Sequence, residues 1–92
     1  MWGILLELAG GFLFGAAVAL IVSTIIDASV VKDKAKEKYP NKSLKLLIKS
    51  KNTRKVDVGI YNRKTGEHYD DIQIESEKGV SESLYEGQEL YA

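Results

Sequence analysis

"ELAGGFLFGAAVALIVSTIID", Glu7 to Asp27, sets nineteen uncharged residues, Leu8 to Ile26, between two acids. As a helix that run would reach about 28 Å, close to the ~30 Å hydrocarbon core of a bilayer. Small or polar residues recur at every fourth position: Gly3, Glu7, Gly11, Gly15, Ala19, Ser23 and Asp27. Trp2 stands near one end, where indole favours the membrane interface. Lys32, Lys34, Lys36 and Lys38 follow the other end, where long side chains reach lipid headgroups. The pattern predicts a transmembrane helix at residues 1–31. A cleaved secretory leader and a buried helix of a globular protein are its rivals; the first lacks a basic opening. The second leaves too little chain to cover nineteen apolar positions.

Beyond Asp27, Asp33 and Glu37 interleave with lysines at helical spacing, until Pro40 and Asn41 halt the pattern. One long helix from about Trp2 to Lys38 is therefore expected, with residues 32–42 as a basic extension and linker.

Inside a bilayer the hydrophobic effect cannot drive helices together, so close backbone approach over small residues does so. Gly11, Gly15, Ala19 and Ser23 are the expected helix-packing positions, a glycine zipper. Glu7 and Asp27, on the same stripe, are candidates for a pore or ion-interacting role.

The run also resembles the first, pore-lining transmembrane helix of the large-conductance mechanosensitive channel family. The matching positions are Glu7, Leu8, Ala9, Gly11, Gly15, Ala16, Ala17, Ile21, Val22 and Ser23. The likeness covers about twenty residues, without the family's amphipathic N-terminal helix or its second span. It implies a homo-oligomer in which small residues pack the helices around a central pore.

From Ser43 the apolar period becomes two. Leu44, Leu46 and Ile48 alternate with Lys45 and Lys49, and Val56, Val58 and Ile60 alternate with Asp57 and Tyr61. Asn62 to Glu67 reads as a hairpin turn with Gly66 left-handed. Ile72 and Ile74 supply a third face, and Val80, Leu84, Tyr85 and Leu90 a less regular fourth. Residues 43–92 are thus expected to form a small antiparallel meander of three to four strands. The fold class expected is α+β, a membrane helix followed by this domain.

Charge is strongly partitioned. Residues 32–64 carry twelve basic and three acidic side chains (+9), residues 65–92 one basic and eight acidic (−7), and residues 1–31 two acids, which sum to zero. Cross-strand pairing within the sheet is the simplest use of that asymmetry. Lys32, Lys34, Lys36 and Lys38 against anionic lipid are a second use. No nucleic-acid partner is expected.

Without cysteine the chain has neither disulfides nor thiolate metal sites. His68 is the only histidine, in "EHYDD", Glu67 to Asp71; Asp70 and Asp71 should face opposite sides of a strand, leaving one of them to join it. No catalytic set, metal site or cofactor is read from the sequence. The expected protein is a single-pass, homo-oligomeric membrane protein, N-terminus outside and β-domain cytoplasmic, with a pore or channel-like ring as one form. The alternative is a monomeric anchored module whose β-domain binds a protein partner.

Overall fold

The computed structural model describes residues 19–92. Five strands and one helix succeed one another: β1 Ala19–Val22, α1 Ala28–Lys38, β2 Leu44–Lys51, β3 Lys55–Asn62, β4 His68–Ser76 and β5 Glu89–Tyr91. They form one mixed sheet of order β1-β4-β3-β2-β5, in which β1 runs parallel to β4 and every other pair is antiparallel.

This corrects the expected fold class. Ala19–Val22 is a strand in register with Gln73–Ser76, Ser23 to Asp27 is not helical, and the helix that follows is eleven residues long. Among the described residues no helix is long and apolar enough to cross a membrane. A helical span over Leu8–Ile26 cannot form while Ala19–Val22 is a strand of the sheet. The transmembrane-helix, glycine-zipper and channel readings therefore lose their helix, and so does the single-pass location with its outside N-terminus and cytoplasmic domain. The physical reason lies in the side chains: Ile21, Val22, Thr24, Ile25 and Ile26 are β-branched and fit a pleated surface better than a helix.

Local chemistry accounts for the remaining boundaries. Asp27 starts α1 as its N-cap, its Oδ1 accepting the Val30 N–H at 3.0 Å. Tyr39 ends it, with Pro40 following, and Lys36 Nζ donates to the Lys42 carbonyl at 2.7 Å across the exit. In the β3–β4 turn, Asn62 Oδ1 accepts from Lys64 and Thr65, while Gly66 takes φ +81°.

One face of the sheet is the core. Leu44, Leu46, Ile48, Val56, Val58, Ile60, Ile72 and Ile74 are buried there with Val31 and Ala35 of α1, Ile26, and Leu84. A register shift in β4 lets both Tyr69 and Asp70 turn towards the helix: Tyr69 stacks on Tyr39, ring centroids 5.3 Å apart, and Asp70 pairs with Lys38. The opposite face carries Lys45, Leu47, Asp57, Gly59, Tyr61, Asp71, Gln73 and Glu75, and none of the described elements is layered over it.

Candidate functional site

Among the described residues a concavity lies where the edge strand meets the helix. Among the described residues no strand pairs with the outer edge of β1. Facing it is one flank of α1, made of Val30, Asp33, Lys34 and Glu37, the i, i+3, i+4, i+7 positions of a single helix face. The cleft between them has a volume of about 680 Å³ and is also lined by Glu77 and Lys78 of the turn after β4. Val22, Val30 and the exposed Ile21 (77%) give it an apolar component. Lys34 and Glu37 pair at 3.5 Å along its wall. A second hollow of about 300 Å³ shares that pair and continues past Leu20 to Lys38, Asp70 and Ile72.

The cleft exists because β1 is pinned from below. Ser76 is fully buried at the end of β4, and its Oγ donates to the Thr24 carbonyl at 2.6 Å while accepting the Lys78 N–H at 3.0 Å. Ile26 then exchanges backbone hydrogen bonds with Gly79 and Ser81 before α1 begins. Strand, link and helix are held at fixed separation.

The residues singled out from the sequence fall in several places. Glu7, Gly11 and Gly15 lie outside the described residues, as do the channel-like positions up to Ala17. Ala19 opens β1 opposite Gln73, Ser23 is exposed in the bend beside the cleft, and Asp27 caps α1. At 100° per residue, Lys34 and Lys38 share one flank of the helix, and Lys32 and Lys36 the other. Lys34 and Lys38 are engaged with Glu37 and Asp70, so the four lysines form no common basic face. Val30 and the Asp33–Glu37 flank carry no motif in the sequence, and Ile21 and Val22 enter there only as positions of the channel-like run. The β-branched cluster from Ile21 to Ile26 was the available signal.

Burial shapes the acids on the sheet. Asp57, 7% exposed in the centre of the open face, has its pKa raised by desolvation; hydrogen bonds from Ser50 Oγ (3.0 Å) and Gln73 Nε2 (3.2 Å) counter this only in part. Asp70 is held below the ordinary carboxylate range. Burial pushes it up, but the Lys38 ammonium, the Asp71 N–H and the Tyr39 hydroxyl together outweigh that. The two have opposite consequences. A raised folded pKa gives stability present in acid and lost as pH rises through it; a lowered one gives stability lost as pH falls. Asp57→Asn is expected to remove the first loss, so its melting temperature should gain on wild type between acid and neutral pH. A parallel pair of melting-versus-pH curves would refute this.

His68 meets one acid: its Nε2 lies 3.0 Å from Asp71 Oδ1, which also takes Lys49 Nζ at 3.2 Å, while the register shift at Tyr69 puts Asp70 on the other face. Among the described residues no group of three or more metal-ligating side chains converges. Among the described residues the arrangement offers hydrogen-bond donors, an apolar trough and a strand edge with which no other strand pairs. A scan against protein-family models and searches of curated proteins and of solved structures found no match to this chain.

Proposed function

We propose that the protein is a peptide-capturing interaction module, in which an extended segment of a partner protein adds to the outer edge of β1. The observation that carries this is the juxtaposition of that edge with the Val30–Glu37 flank of α1 across the cleft. An added strand obtains main-chain hydrogen bonds from the edge, and its alternate side chains supply specificity. Side chains turned to the helix would enter the trough beside Val22 and Val30, and those turned away would meet Ile21. The mixed charges of Asp33, Lys34, Glu37, Glu77 and Lys78 disfavour a strongly charged segment, so the partner sequence is apolar at alternate positions. The function is binding, without catalysis.

The test is selection from a random seven-residue peptide library, followed by mapping of the bound peptide by amide chemical shifts. Shifts should concentrate at residues 19–24 and 30–37. Methylating the peptide amides that face β1 should weaken binding at least about tenfold, whereas methylating the alternate amides should leave it intact. Equal tolerance at both sets of amides would sink strand addition. Val30→Glu should weaken capture while the sheet stays folded.

A further inference from the structure

The backbone of β1 can be followed group by group. Ser76 donates its N–H to the Arg54 carbonyl on the β3 side. Backbone direction alternates along a strand, so Glu75 and Gln73 turn their groups towards β1. In the parallel register from Ala19 opposite Gln73 to Val22 opposite Ser76, the groups that answer them belong to Leu20 and Val22. Ile26 keeps the same parity, bonded to Gly79 and Ser81. The N–H and C=O of Ala19 and Ile21 therefore point out of the sheet edge. The Ile21 side chain, 77% exposed, stands beside them on the face away from the helix.

Strand edges left unpaired are commonly guarded by lysine, proline or a bulge. Ala19 to Ile26 contains neither charge nor proline, and β1 meets β4 in unbroken register. The same strand fits the description of a segment that the cleft accepts: extended, uncharged, with Leu20 and Val22 turned to the helix side. Set antiparallel to a copy of itself about a two-fold axis at Ile21, it places Ile21 opposite Ile21, Leu20 opposite Val22 and Ala19 opposite Ser23. That register joins outward backbone groups to outward groups and keeps every side chain on its own face. A shift by one residue breaks both matches. The flank of α1 meets its copy with both signs of charge, Asp33 and Glu37 beside Lys34, so it does not repel as a flank of one sign would.

We infer that the segment this edge takes is β1 of a second copy of the chain, which joins the two five-stranded sheets edge to edge in a two-fold dimer. The inference rests on the reading of the β1 edge as a strand acceptor and names its occupant. Leu20 and Val22 of one copy enter the trough beside Val30 of the other, and the two exposed Ile21 side chains cover each other. Strands this short bury less than a standard interface, so the dimer belongs to the weak, exchanging class.

Sedimentation equilibrium on the full chain tests this. The weight-average mass should rise from 10.2 kDa towards twice that value between micromolar and millimolar concentration. Ile21→Lys, at an exposed position, should weaken self-association at least about tenfold while the circular dichroism spectrum stays unchanged. The chain has no cysteine, so Ile21→Cys introduces a single thiol. On the axis the two Cα atoms would lie about 5.5 Å apart, within disulfide reach, and mild oxidation should give a covalent dimer. Ala19→Cys would set them about 14 Å apart and should not cross-link. The inference is overturned if wild type stays monomeric at millimolar concentration, if Ile21→Lys associates undiminished, or if Ala19→Cys cross-links as readily as Ile21→Cys. A monomeric chain that still captures library peptides loses the dimer and keeps strand addition. One that dimerises through Ile21 and captures none keeps the dimer and loses the foreign partner.

Discussion

Leu46→Ala is expected to destabilise the protein by about 3 kcal/mol, within the roughly 2–5 kcal/mol typical of such truncations in well-packed cores. Leu46 is fully buried on the second strand from the sheet's β5 edge, between Leu90 and Ile60 in the register of β5, β2 and β3. Its loss leaves a void that three strands would have to close together. For a domain of this size, where total stability is of order 5–15 kcal/mol, the midpoint of thermal unfolding should fall on the order of 15 °C. Ile21→Ala is the comparison, since its side chain is 77% exposed. It should change stability by no more than about 0.5 kcal/mol. Chemical denaturation of both variants checks the pair. Similar losses for the two would mean that the core is not on the face described.

Ser76→Ala should have the second largest effect, about 2 kcal/mol, for a different reason. The substitution creates almost no cavity. It strips the Thr24 carbonyl of its donor and the Lys78 N–H of its acceptor, and unsatisfied buried groups of this kind cost roughly 1–3 kcal/mol. The damage should be local: amide exchange should accelerate over residues 19–26 and 76–79 while β2 and β3 remain protected. Peptide capture should weaken in step, because the cleft depends on the same tether. Uniform acceleration across the sheet would show that β1 is not a separable unit.

Which parts of this structure the sequence disclosed follows from how local their determinants are. Leu44–Ile48, blurred only by Leu47, Val56–Ile60 and Ile72–Ile74 alternate because one side faces core and the other is open, and they become β2, β3 and β4. Gly66 and Pro40 mark a turn and a helix end by backbone chemistry that operates within a few residues. Leu20 to Ile26 carries no such periodicity. A continuous apolar run suits a lipid-facing helix and a covered strand equally, and only its β-branched content separates the two. Asp27 fits a helical stripe by its spacing, but an acid just ahead of a helical pattern is also a cap, and the structure makes it one. The cleft needed β1 beside β4, a pairing between distant segments that no local signal records.

The parallel pairing of β1 with β4 also sets an order of events during synthesis. Ala19 and its partner Gln73 are 54 positions apart, whereas β2, β3 and β4 are joined by short turns and can pair as they emerge. At roughly 5–20 residues per second, β1 waits about 3–10 s before its partner has been made. Throughout that interval Ala19 to Val22 is a β-prone, apolar segment without its β4 partner, the kind of stretch that a chaperone shields.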